Sequence, residues 1–295
     1  MKTVGFVGLG LMGAPMAANV ARAGYPLTIY NRTPGKAAKL IELGVHPADT
    51  PAELAARSEV VISMLTDAAA VEQVLRGKDG LLAGGRPGTL LIDMSTVSPV
   101  QSRSLQAEVG GCRWVKLEAP VFGSTGPALD GTLGIMVGGD QGLFESQLDL
   151  LQAMGKYIFY MGPMGAGALT KLAFNLMVAA QFHSLAEAMA LAGKGGVDLR
   201  RVGEVLAATA IASDLVRRKI GSLVAADFAP GFPLKHLHKD LGLMLDTAHR
   251  LGVPIPATAS IHEAFTAASS RGHGDLDSSA IYCLLTELSG STPNS

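Results

Sequence analysis

Val4-Gly5-Phe6-Val7-Gly8-Leu9-Gly10-Leu11-Met12-Gly13 decides how this chain folds, because a short β-rich run passes through G-x-G-x-x-G into a helical pattern reaching Ala23. Each glycine has its own task in such a turn. Gly8 permits the tight exit from the strand, Gly10 lets backbone approach a pyrophosphate, and Gly13 lets the helix pack against the strand. The anion then rests on amides left free at the helix start. Gly8, Leu9, Gly10, Leu11, Met12 and Gly13 are therefore the expected floor of a dinucleotide site. A ligand-free strand-to-helix turn is the plainer alternative, and the βαβ context argues against it.

The next β-rich run, Leu27 to Tyr30, leads into Asn31-Arg32-Thr33. An NAD-preferring site carries Asp or Glu at that strand end for the ribose hydroxyls. Asn31 removes the repulsion a carboxylate would exert on a 2′-phosphate, and Arg32 offers a charge-assisted hydrogen bond. NADP is the expected cofactor, with NAD left open, and Asn31, Arg32 and Thr33 are the expected contacts. Arg32 as an ordinary loop cation is the competing reading. Ligands of such sheets collect outside the carboxyl ends of strands. That adds Met64 and Leu65 at one strand end and Ser95 and Thr96 at the next, where either hydroxyl could instead cap the following helix.

Short β-rich runs alternate with helical patterns through the first half. The strands expected are Thr3 to Val7, Leu27 to Tyr30, Val60 to Leu65, Leu90 to Met94, Trp114 to Glu118, Gly134 to Gly138 and Tyr157 to Tyr160, with a weak one near Val45. Helices are expected at Lys36 to Leu43, Ala52 to Ala56, Ala68 to Leu75 and Ser98 to Val109. The alternation predicts an α/β domain with a doubly wound parallel sheet. Beyond the turn Gly162-Pro163-Met164-Gly165, Ala/Leu/Met-rich stretches at helical spacing take over, beginning with a long helix to about Lys194. Further helices are expected at Leu199 to Ala208, Leu215 to Ala225, Leu234 to Arg250, Ala257 to Ser270 and Ser278 to Leu288, with a low-complexity tail from Ser289 to Ser295. The expected division is 1–163 for nucleotide and 164–295 for an all-helical domain.

The 295 residues are 48% hydrophobic and only 17% charged, an apolar balance that points to surface buried between subunits of a homodimer or homotetramer. A net charge of −1 offers no basic face for nucleic acid or an anionic membrane. Cys112 and Cys283 stand alone, outside any ligand spacing. Met1-Lys2-Thr3 runs straight into the first strand, and no uninterrupted apolar run of about 18 residues follows, so the cytoplasm is the expected compartment and no membrane span is expected. His236 and His238 are two apart on a helix and diverge by about 200°, so no metal site is expected there.

Reducing a carbonyl with hydride needs a group that protonates the oxygen as charge develops on it. In Gly167-Ala168-Leu169-Thr170-Lys171-Leu172-Ala173-Phe174-Asn175, Lys171 and Asn175 are four apart and share one helix face. Residues 172–174 and 176–180 are apolar. A lysine desolvated by such surroundings gives up its proton more readily, and Asn175 can orient it or the substrate. A lysine whose stem merely covers the helix is the alternative.

With these residues in view the chain resembles the β-hydroxyacid dehydrogenase family, which includes 3-hydroxyisobutyrate dehydrogenase, tartronate semialdehyde reductase and the glyoxylate/succinic semialdehyde reductases. The resemblance rests on Val4 to Gly13, Glu118-Ala119-Pro120-Val121-Phe122-Gly123-Ser124 with Ala128 to Gly139 beyond it, Gly167 to Asn175, and Lys239-Asp240-Leu241. It implies a Rossmann-like domain joined by a long helix to an all-helical domain, and hydride exchange with a small aldehyde acid or hydroxy acid. By the same resemblance Lys171 is catalytic with Asn175 beside it, Thr96 and Lys239 contact cofactor, and Phe122, Gly123 and Ser124 lie in the loop gripping substrate carboxylate. The family loop commonly reads Pro-Val-Ser-Gly, and Phe122 stands here where that serine would be. Glu118 and Gly126 to Gly131 are closer to the glyoxylate/succinic semialdehyde branch. An imine reductase, or a nucleotide-binding module without activity, are the competing readings.

Overall fold

In a computed structural model, residues 1–33 and 35–291 are described. Of the expected tail, residues 292–295 lie outside the described set. The chain divides into two compact units, 1–171 and 172–295.

The first unit holds strands β1 (Val4–Val7), β2 (Leu27–Tyr30), β3 (His46–Pro47), β4 (Val60–Ser63), β5 (Leu90–Asp93), β6 (Val115–Glu118), β7 (Val121–Phe122), β8 (Leu133–Gly139) and β9 (Gly155–Gly162). Its helices are α1 (Gly13–Arg22), α2 (Ala38–Ile41), α3 (Pro51–Ala56), α4 (Ala68–Leu75), α5 (Leu81–Gly84), α6 (Pro99–Gly111), α7 (Thr125–Asp130), α8 (Gln141–Glu145) and α9 (Leu148–Gln152). The sheet runs β3-β2-β1-β4-β5-β6-β8-β7, with β9 paired to β8. Every residue of β1, β4 and β5 is buried. Alternate side chains of these strands serve opposite faces: Phe6, Ile62 and Ile92 join one core, Val7, Val61 and Leu91 the other. Strands covered on both sides read as unbroken apolar runs, which is why they stood out in the sequence.

From β3 through β6 all pairing is parallel, and strand order reverses at β1, between β2 and β4. The expectation of a parallel sheet holds that far, and β8 then runs antiparallel to both β6 and β7. Loop length explains the change. Residues 123–132 join β7 to β8 with one short helix, less than the dozen or so residues a parallel crossover needs, whereas 140–154 with α8 and α9 bring β9 back parallel. Strand β9 ends its side of the sheet. Its Ile158 and Tyr160 pack toward the core, while Tyr157, Phe159 and Met161 are exposed.

The second unit contains most of α10 (Ala166–Lys194), then α11 (Leu199–Ala207), α12 (Asp214–Ala225), α13 (Leu234–Leu251), α14 (Pro256–Ser270) and α15 (Ile281–Leu288). Leu234, Leu237, Leu241, Met244 and Ala248 repeat at three and four residues along α13, and the first four pack with Phe182, Ala186 and Met189 of α10 and Phe265 of α14. The helix expected from Ser278 is tighter than α-helical over Ser278–Ala280. Buried Asp277 controls that start by accepting from the amides of Gly231, Phe232 and Ser279 and from Lys219 Nζ. Among the described helices α10 alone has the length and composition to cross a membrane. Its Leu172, Ala179, Phe182, Leu185 and Met189 join the core of this unit.

Candidate active site

The turn between β1 and α1 is built from three glycines that do different things. A Cβ on Gly8, whose φ is +95°, would fall 2.3 Å from the Met64 carbonyl oxygen, and one on Gly13 would fall 1.9 Å from the Gly8 carbonyl oxygen. Gly10 faces open space, with nothing within 4 Å. Two glycines are thus demanded by the protein's own packing, and the third leaves room for something that approaches backbone closely. Asn31 holds the turn in place: its Oδ1 accepts from Leu9 N at 2.9 Å and its Nδ2 donates to Thr33 O.

A cleft of ≈ 690 Å³ opens beside this turn at the strand-order reversal. Gly8, Gly10, Asn31, Arg32, Thr33, Met64 and Leu65 all line it. So does Lys36, an exposed cation that sequence reasoning passed over although it follows Arg32 by four residues, and Asp67, which caps α4. The other residues assigned to the nucleotide lie off this lining. Leu9 is buried in the core, Gly13 is the buried first residue of α1, Leu11 is exposed at the turn, and Met12 packs against the core. Ser95 is buried, its Oγ accepting from Leu65 N at 3.0 Å and its amide donating to Asp93 Oδ1, which also accepts from Ser63 Oγ. These bonds tie the ends of β4 and β5 together. Neither Ser95 nor Thr96 caps α6. Ser98 does, in a capping box with Gln101.

Lys171 is only 8% exposed, in the second turn of α10. Asn175, one turn further along the same helix, is buried, and its Nδ2 donates to Asp240 Oδ2 at 2.7 Å. Asp240 is itself buried on α13, with Lys239 Nζ 3.0 Å from its Oδ1. In the sequence Asp240 stood out within the Lys239-Asp240-Leu241 stretch of the resemblance; its separation of 65 residues from Asn175 hid the pairing. On α13, His236 has its basicity lowered chiefly by burial, then by Lys239 and Lys235, while the His238 ring lies 4.8 Å from that of His262. Among the described residues no three His, Cys, Asp or Glu side chains gather as a metal site.

Phe122 packs on the sheet. A Cβ on Gly134, its cross-strand partner, would enter the Phe122 ring, and the ring centroid is 6.5 Å from that of Phe159. Gly123, at φ +112°, and Ser124 are exposed and lead into α7, which Ser124 precedes without capping it.

Comparison with known proteins fits this geometry. Residues 3–162 match the model described as the NAD binding domain of 6-phosphogluconate dehydrogenase, and residues 165–285 match that described as NAD-binding of NADP-dependent 3-hydroxyisobutyrate dehydrogenase. The chain is 36% identical over 278 residues to glyoxylate/succinic semialdehyde reductase 1 of Arabidopsis thaliana, covering 94% of this chain and 96% of that one. It is 35% identical over 278 residues to 2-hydroxy-3-oxopropionate reductase of Escherichia coli, covering 94% and 95%. The crystal structure of 3-hydroxyisobutyrate dehydrogenase from Salmonella typhimurium superposes with a TM-score of 0.88 at 30% identity, covering 96% of this chain and 99% of the other.

Proposed function

Because the chain belongs to the β-hydroxyacid dehydrogenase family, and is therefore an NAD(P)-dependent oxidoreductase, we propose that it uses NADP to reduce a small aldehyde acid such as glyoxylate or succinic semialdehyde, with Lys171 as proton donor. The burial of Lys171 one turn from an anchored Asn175 carries this reading. A lysine serving only solubility would keep its ammonium in water.

A reduced nicotinamide held there would supply hydride to the carbonyl carbon. Negative charge then grows on the carbonyl oxygen, and the Lys171 ammonium gives that oxygen its proton; in the reverse direction the neutral amine takes the hydroxyl proton. Asp240 fixes which end of the Asn175 amide is which, since Nδ2 is committed to the carboxylate and Oδ1 becomes the acceptor for an ammonium or a hydroxyl. Gly10 and the first turn of α1 would take the pyrophosphate, and Arg32 and Lys36 the 2′-phosphate. The resemblance adds Lys239 and Thr96 to the nucleotide contacts. Substrate carboxylate would rest on the amides and hydroxyl of Gly123 and Ser124, because Phe122 has no hydroxyl to give. Exposed Met177, Leu191, Val205 and Ile211 support a homo-oligomer.

The test is oxidation of NADPH and NADH with glyoxylate, succinic semialdehyde, methylmalonate semialdehyde, tartronate semialdehyde and a cyclic imine, for wild type and Lys171→Ala. We expect an aldehyde acid to turn over with NADPH, and a loss in Lys171→Ala of about 10²-fold or more with nucleotide binding retained. Near-normal turnover in that variant overturns the role of Lys171, and turnover of the imine alone overturns the substrate class.

A further inference from the structure

The helix carrying Lys171 starts without a local cap. Pro163-Met164-Gly165-Ala166 offers no side-chain acceptor, Gly165 is at φ +100°, and the Ala166 amide turns back to Pro163 O. The acceptor comes from the end of β6 instead. Glu118 Oε1 accepts from Gly165 N at 2.8 Å and Ala168 N at 3.1 Å, two of the amides a helix start leaves unpaired. An anion is favoured there by the helix dipole.

Glu118 is itself held. Its Oε2 accepts from Ser102 Oγ of α6, which accepts in turn from Lys116 Nζ at 2.9 Å. All three side chains are buried, and Met164 Sδ lies 3.5 Å from the ammonium. The surroundings are shaped to admit the carboxylate. A Cβ on Gly138 would fall 2.4 Å from Glu118 Oε1, and one on Gly167 would fall 3.2 Å from it. Burial lowers the basicity of Lys116, and the carboxylates of Asp93 and Glu118 oppose that shift. The role read above for Lys171 does not use these two buried charges linked through Ser102, and burying charges is a poor way to gain stability alone.

We propose that Glu118 is the positioning residue of Lys171: its carboxylate fixes the start of α10 through Gly165 and Ala168, and Ser102 and Lys116 hold that carboxylate in place. Ala168 precedes Lys171 by three residues, so the anchored amide lies less than one turn, about 4.5 Å of rise, from the lysine. Any slip of the helix start is passed to Lys171 almost undiminished.

This inference rests on Lys171 as proton donor, and the experiment separates the two claims. Glu118→Met combined with Lys116→Met removes both charges together, so that neither of the two is left without the other, and strips Gly165 and Ala168 of their acceptor. Turnover with NADPH and either glyoxylate or succinic semialdehyde is counted per NADPH-binding site, so unfolded protein does not enter. We expect a loss of about tenfold or more per site, as sub-ångström misplacement of a reacting group produces. Amide exchange over residues 165–171 should quicken. Glu118→Gln, which keeps the length and one acceptor oxygen, should recover most of both. Should the double variant not fold, Ser102→Ala takes its place, with a few-fold loss and the same exchange pattern expected. Wild-type turnover and exchange in either folded variant, or an equal loss in Glu118→Gln, overturns the proposal. Normal turnover in Lys171→Ala overturns the parent reading instead, while an inactive Lys171→Ala beside a fully active double variant sinks this one alone.

Discussion

Gly10→Ala and Gly13→Ala should fail in opposite ways, although they alter the same six-residue motif. A methyl on Gly13 would stand 1.9 Å from the Gly8 carbonyl oxygen, far inside the 3.4 Å at which ordinary contact begins. The obstacle is backbone, so α1 must lift from β1. Overpacking of that kind costs on the order of 1–3 kcal/mol, offset by up to about 1 kcal/mol of improved helix propensity. At roughly 2–4 °C per kcal/mol, the melting temperature of Gly13→Ala should fall by several degrees without ligand. A methyl on Gly10 meets nothing within 4 Å, and its φ lies outside the left-handed range, so that variant should melt with the wild type. It should nevertheless bind NADPH about tenfold or more weakly, a loss of about 1.4 kcal/mol or more, because the methyl occupies the approach of the pyrophosphate. Thermal melting with and without NADPH, together with titration calorimetry, reads both effects. Wild-type NADPH affinity in Gly10→Ala would refute the reasoning, because the open side of that glycine would then not face the ligand.

Arg32→Ala should raise KM for NADPH at least tenfold and leave KM for NADH nearly unchanged, with Lys36→Ala acting in the same direction; equal effects on both nucleotides would remove the two cations as phosphate readers. Asp277 is buried, which works against ionisation, but its bonds to Lys219 and Ser279 outweigh burial and hold the carboxyl below its ordinary value. Its contribution to stability is therefore present above about pH 4, the usual aspartate range, and is lost as pH falls further. Asp277→Asn should flatten that acid limb of the melting curve, and an unchanged limb would count against the assignment. Burial pushes the Cys283 thiol up to about 11, whereas Cys112 is exposed. One thiol per folded chain should react quickly with a disulfide reagent near pH 8, and two fast thiols would contradict the burial of Cys283.

What the sequence made legible was local or periodic. The glycine turn declares itself within ten residues, and the apolar stripe of α13 repeats every three or four. The antiparallel return of β8 was not visible, because it depends on the length of a connection whose helix, α7, spans only Thr125–Asp130. Helices of four to six residues such as α5, α8 and α9 are too short to establish a period. Bonds across long separations were equally hidden. Asn175 meets Asp240 and the α10 amides meet Glu118, in each case through a polar group whose partner no spacing rule selects. The helix start at Ser98 was legible, but the alternative that Ser95 or Thr96 caps α6 was not excluded by residue type; Ser98 is the cap, and Ser95 spends its hydroxyl on the Leu65 amide.

The last strand of the sheet presents a long edge with an apolar outer surface. Across its eight residues, Gly155 to Gly162, Lys156 is the sole charge, and the outward rings of Tyr157 and Phe159 are followed by Met161. A margin of that length with a greasy outer surface is the kind of template on which chains stack into insoluble aggregates, and one cationic side chain is the gatekeeper against it. Handling conditions that mask this ammonium, such as high ionic strength or amine-reactive labelling, should reduce solubility well before they disturb the fold.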